Sequence, residues 1–171
     1  PLPAMLRAGA MLAARALGRL DQAARLAVIA AMSGMVAVVS AQVLLRYGFN
    51  ASLDWGEDIA RMLFVWSIFL AVPLGVKAGA HIGIELLVRA LPDDAQRWLT
   101  RLTALFSTIL MGVVCTQAGM LVLEQWDENL PTLDVPVALF MLPVSIGAAH
   151  SVLHLLGLIA SGTPPQRGAL A

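Results

Sequence analysis

LAVIAAMSGMVAVVSAQVLL, residues 26–45, is an uncharged run between Arg25 and Arg46. As a helix rising 1.5 Å per residue, a run of this length covers ~30 Å, the thickness of bilayer hydrocarbon. The rest of the 171-residue chain repeats the pattern: 59% of residues are hydrophobic and 13% charged, where a soluble domain carries about 25% charged residues. So much apolar surface exceeds what a water-soluble fold of this size can hide. Net charge is zero, so nothing points to nucleic acid as a partner, and neither strand-like alternation nor a Gly-rich phosphate loop is present. Cys115 cannot form an intrachain disulfide, none of the usual metal-binding spacings occurs, and the residue reads as a small buried hydrophobe.

Cutting the chain at its charges yields three more apolar runs. MLFVWSIFLAVPLGV, residues 62–76, is too short alone and spans only if its helix runs from about Trp55 to Ala80. LTALFSTILMGVVCTQAGMLVL, residues 102–123, is long enough, and the last run starts at Val135, with Gly162-Thr163-Pro164-Pro165 ending its helix near Ala160. The expected fold is an all-α integral membrane protein, a single domain over 1–171 with four spans near 26–46, 55–80, 98–123 and 135–160. Val39-Ser40-Ala41 loosely resembles a signal cleavage site, but the first run exceeds a signal peptide's ~7–15 apolar residues and is read as a retained helix.

Residues 4–24 have helical spacing, with Arg7, Arg15, Arg19 and Gln22 on one side and Met5, Leu6, Leu12, Leu17 and Leu20 on the other, Met11 being the exception. A basic amphipathic helix beside a membrane is expected to lie among the lipid headgroups. Orientation follows from the basic residues. Arg7, Arg15, Arg19, Arg25, Lys77, Arg89, Arg97, Arg101 and Arg167 fall on one side, and only Arg46 and Arg61 on the other. The positive-inside rule then places both termini in the cytoplasm. The loop EQWDENLPTLD, residues 124–134, is acidic, without Lys or Arg, and agrees with an outer position.

The outer connection RYGFNASLDWGEDIARMLFVW, residues 46–66, concentrates the chain's charge. Asp54 followed by Glu57 reads as a capping box. Glu57 and Arg61, four residues apart, can pair on one helix face. Tyr47 and Trp55 suit the aromatic belt at the headgroups. Arg61 stands about two turns into the helix, where a charge is costly and marks a protein contact or a wet crevice.

Residues 46–87 resemble the hallmark region of the small membrane subunit of TRAP (tripartite ATP-independent periplasmic) transporters, the DctQ-type family. The resemblance rests on an ordered set: Arg46-Tyr47-x-Phe49-Asn50, then Trp55-x-Glu57-Asp58-x-Ala60-Arg61, then Trp66, closing on Lys77-x-Gly79-x-His81-Ile82-Gly83-Ile84-Glu85. The family often has Asp where this chain has Glu85. The resemblance implies a small four-helix subunit that scaffolds a large multi-spanning permease subunit in the bacterial inner membrane. The large subunit carries the substrate and sodium sites, and a periplasmic substrate-binding protein delivers an organic acid. No cofactor is implied. Arg46, Tyr47, Trp55, Glu57, Arg61, Lys77, His81 and Glu85 become candidate partner-interface residues. Lys77, His81 and Glu85 are spaced i, i+4, i+8 and would share one face of a continuing helix.

A passive role fits the polar residues at depth. Within the four spans these are Gln42, Gln117, His150 and His154 with scattered Ser and Thr, and no buried carboxylate, a poor basis for sodium coupling. Small residues line the helices: Ser33-Ala37-Ala41 on the first, Ala104-Thr108-Gly112-Thr116 on the third, and Pro143, Gly147, His150, His154 and Gly157 on one face of the fourth. Such stripes allow close helix approach within the bundle or against a partner. Pro73 and Pro143 are expected to kink their spans. A haem-carrying membrane anchor is the alternative, but His150 and His154 lie one turn apart on one helix and cannot clamp an iron from both sides. An enzyme would need a nucleophile–base pair or a metal cluster that the sequence does not display.

Overall fold

The computed structural model describes residues 4–78 and 92–161. Four α-helices account for most of them: α1 (Ala4–Gly48), α2 (Gly56–Lys77), α3 (Asp93–Glu124) and α4 (Leu142–Ser161), the last preceded by a 3₁₀ turn over Val137–Phe140. Each is long and apolar enough to cross a membrane, α4 together with its 3₁₀ turn.

The segment read as a headgroup helix and the first span form one uninterrupted helix of 45 residues. Its register explains the continuity. Positions 17, 21, 24, 28, 31, 35, 38, 42 and 45 form a less exposed stripe alternating steps of three and four along α1, widened by 27, 34 and 41. The stripe admits Leu17 and Asp21 and leaves Leu20 exposed at 42%, so between Leu17 and Arg25 the inward face keeps only part of the leucine side that the sequence suggests. Asn50 ends the helix in the left-handed region (φ 49°), which Asn tolerates better than most residues. The Ala51 N–H then returns to the Leu45 carbonyl at 3.1 Å.

Two local expectations are corrected. Asp54 does not cap α2: Trp55 occupies the N-cap position and no side chain caps the helix. Asp54 instead accepts a hydrogen bond from Ser52 Oγ at 3.3 Å, while Glu57 turns to Arg61. Pro143 does not kink a helix interior, because α4 starts at Leu142 and places the proline in its first turn, where a missing N–H leaves no bond unmade. Pro73 does lie inside α2.

The helices pack in the order α1–α2–α4–α3. The two central helices supply most of the buried surface. Within the most apolar window of each span, 22% of α2 and 33% of residues 137–160 are buried, against 6% for α1 and 6% for α3. Leu26, Val36 and Leu44 of α1 and Phe106, Ile109 and Leu110 of α3 point outward. Val76, Ala104 and Leu155 form a small core among α2, α3 and α4. At one end, the loop between α3 and α4 folds on itself through Leu130 N–H to the Val135 carbonyl (3.0 Å) and Val137 N–H to the Glu128 carbonyl (2.8 Å). Thr132 of this loop hydrogen-bonds Asp58 of α2, so the two loops expected outside share one end of the molecule.

Candidate functional site

The buried polar chemistry gathers toward the opposite end. Helices α2 and α4 run in the same direction and touch where Gly147 meets Phe69: a Cβ on Gly147 would stand 2.1 Å from the Phe69 carbonyl oxygen. Lys77 lies eight residues beyond Phe69 and His154 seven beyond Gly147, so both arrive about two turns further along at one level. His150 and His154, at i and i+4, share a face of α4. The inward stripe of α1 brings Asp21 to the same place.

The four side chains satisfy one another. Lys77 Nζ donates to Asp21 Oδ2 at 2.7 Å. With the Nε2–H tautomer on both rings, His150 and His154 donate to Asp21 Oδ1 at 2.9 and 2.7 Å. The side chains of Asp21, His150 and His154 are 10%, 4% and 8% exposed, and Lys77 reaches outward at 37%. One carboxylate, one ammonium and two neutral imidazoles sum to zero charge, the condition under which a buried polar cluster is tolerable. Each carboxylate oxygen has a partner, and Asp21 of α1 is tied to both α2 and α4. The two ring centroids lie 5.0 Å apart. Asp21, His150 and His154 also offer three metal-ligating atoms within 4.8 Å of one another. A haem sandwich is not what the pair of rings forms, since both face the same carboxylate.

Other sequence-chosen residues divide between the two ends. Arg46, Tyr47, Asp54 and Glu57 line an open cleft of about 560 Å³ with Gln42 and Val43 on the α1 side. Gly56 makes the α1–α2 approach possible there, because a Cβ would come within 2.5 Å of Gln42 Nε2. Trp55 stands at the start of α2. Arg61 Nη2 pairs with Glu57 at 2.7 Å and Nη1 lies 3.9 Å from Asp58, with the Arg61 side chain 58% exposed. Arg61 is therefore a surface pair with an open face. Lys77 belongs to the opposite end. His81 and Glu85 lie outside the described residues, and so does the face they were expected to share with Lys77.

Asp21 was not singled out by sequence reasoning. Reading the first span only from Leu26 leaves Asp21 in a helix assigned to the headgroups, so the expectation of no buried carboxylate missed it. The available signal was the register: continuing the inward stripe of residues 24, 28 and 31 backward reaches position 21. The small-residue face of α4 also finds its place. Pro143, Gly147, His150 and Ser151 are buried in the chain's own packing, while Gly157 is exposed, as are Ser33 and Ala37 on α1.

Four membrane-length helices and a buried, mutually paired polar cluster define a multi-pass α-helical membrane protein. Residues 35–163 match the family model for the DctQ component of tripartite ATP-independent periplasmic transporters, and the chain belongs to that family. Lys77, His150 and His154 fall inside the matched region, and Asp21 precedes it. The C4-dicarboxylate TRAP transporter small permease protein DctQ of Rhodobacter capsulatus is 26% identical over 120 residues, 69% of this chain and 52% of its own length. The ectoine TRAP transporter small permease protein TeaB of Halomonas elongata is 26% identical over 109 residues, 63% and 56% of the two chains. The isethionate TRAP transporter permease protein DctMQ of Oleidesulfovibrio alaskensis is 27% identical over 131 residues, 70% of this chain but 20% of that longer one. The chain thus spans about half the length of these two small-permease relatives.

Proposed function

We propose that this chain is the small membrane subunit of an ion-gradient-driven, binding-protein-dependent uptake transporter for organic acids. It sits in a bacterial inner membrane with both termini in the cytoplasm. It holds a large multi-spanning permease subunit in the bilayer, works with a periplasmic substrate-binding protein, and does not itself carry substrate. One observation carries the scaffold reading above the others: the buried ionisable groups of the described spans close on one another around Asp21, while α1 and α3 turn long apolar faces outward. A subunit that moved ions would need open oxygen ligands or a charged path at depth; a subunit that binds another membrane protein needs outward helix faces. The long DctMQ relative supports the same partner, since a stretch similar to this chain is there part of a larger permease protein.

Co-expression with the large permease subunit and purification through a tag on this chain tests the proposal. The large subunit should be retained at fixed stoichiometry, and paired Phe106→Ala and Ile109→Ala changes on the outward face of α3, or Val36→Ala with Leu44→Ala on α1, should weaken retention. Recovery of this chain alone from membranes containing both would contradict it.

A further inference from the structure

We propose that Asp21, His150 and His154 form a binding site for a single divalent transition-metal ion of the zinc type, and that Lys77 and the metal are alternative partners for the Asp21 carboxylate. The inference goes beyond a scaffold role and does not depend on it. The donor set is the first ground. Two imidazoles and one carboxylate suit zinc better than calcium or magnesium, which prefer oxygen ligands throughout. The spacing is the second: two His at i and i+4 on one helix face is the arrangement by which helices present paired imidazoles to zinc.

Distance is the third ground. Asp21 Oδ1 already lies 2.9 Å from His150 Nε2 and 2.7 Å from His154 Nε2. Ligands of a tetrahedral zinc, bound at ~2.0–2.1 Å, stand ~3.3 Å apart. Small rotations of buried rings that already face a common point would therefore open the site. Coordination through Nε2 needs only a tautomer change: the ring proton moves to Nδ1 and each imidazole stays neutral. Three protein ligands leave a fourth position for water or another donor.

Charge makes the Lys77 side of the proposal necessary. Zinc added to the closed cluster would leave two surplus positive charges in a buried site, which is strongly unfavourable. Lys77 is the most exposed member, its side chain 37% accessible, and its release from Asp21 Oδ2 removes one of the two. In the ion-pair state Lys77 neutralises Asp21; in the metal state zinc does, and Oδ2 accepts from water or turns to the metal. Both states hold α1 against α4, and the metal state frees the end of α2 from α1.

The test uses the purified full chain in detergent, with its affinity tag removed and metals stripped by chelation and dialysis. Zinc alone is titrated by calorimetry and bound metal is counted by elemental analysis; cobalt(II) serves as the spectroscopic probe. Expected are one zinc per chain and a visible cobalt spectrum of tetrahedral nitrogen–oxygen ligation. His154→Ala should lose the signal, and Lys77→Met should bind zinc at least about tenfold more tightly, because a competing cation is gone. Failure of the wild-type chain to take up zinc, or equal binding by wild type, His154→Ala and Lys77→Met, would overturn the proposal. Should the His variant fail to fold, the wild-type cobalt spectrum and the direction of the Lys77→Met change still decide it. Failure here leaves the large-subunit retention described above untouched.

Discussion

Asp21 is the residue on which three helices converge, and its variants should show an ordered cost. Asp21→Asn keeps the shape but removes the charge that Lys77 needs: its amide oxygen can still accept from the imidazoles, but its NH2 then faces the Lys77 ammonium, donor against donor. Buried groups left unpaired cost about 1–3 kcal/mol each, so this variant should melt clearly below wild type in detergent. Lys77→Met leaves the buried Asp21 carboxylate without its counter-charge and should cost at least as much. Melting temperatures equal to wild type for both variants would mean that the cluster does not hold the helices. Gly147 makes a sharper case. Its Cβ would collide with the Phe69 main chain rather than a movable side chain, so Gly147→Ala should destabilise by about 1–3 kcal/mol. Gly157→Ala, with open space at the same position, should be neutral or slightly stabilising, since Ala favours helix over Gly. Thermal unfolding of the two alanine variants side by side checks this.

The helices themselves were readable from hydropathy, since an uncharged run of membrane length has few alternatives to a spanning helix. What hydropathy could not give was where a helix stops being lipid-facing. The break placed at Arg25 separates what is one helix, because an arginine on an outward face does not end a helix and can reach toward the interface. The cap of α2 was misread for a related reason: Asp54 and Glu57 have the right spacing, but Ser52 and Arg61 compete for the same carboxylates. The Glu57–Arg61 pair was found because i, i+4 geometry is set within one helix. Contacts between distant helices, such as Asp21 with His154, carry no local signal of that kind. The element order makes a topology prediction. A periplasm-active reporter fused at residue 129 should be active, and a cytoplasm-active one at residue 90 should be active; the reverse pattern would contradict termini in the cytoplasm. Arg61→Leu should insert normally, since its pair with Glu57 is exposed, but should weaken retention of the large subunit if the open face of Arg61 contacts it. Unchanged retention would reduce Arg61 to a local pair.

The packing order α1–α2–α4–α3 gives the molecule two sparsely covered outer helices and a central pair that carries most of the burial. A chain that closed on itself would need no partner; this one leaves Leu26, Val36, Phe106 and Ile109 for lipid or for protein. Composition alone indicated the membrane, and the ordered motif between Arg46 and Glu85 indicated the family, but neither distinguishes a scaffold from a carrier. That distinction rests on where the ionisable groups go, and the account requires that they close on one another or around one bound ion rather than line an open path. Reconstitution tests this most directly. Proteoliposomes holding this chain alone, given a sodium gradient, the cognate binding protein and its labelled ligand, should accumulate nothing, and adding the large subunit together with this chain should restore uptake. Gradient-dependent accumulation by this chain alone would place the transport chemistry here and contradict the account.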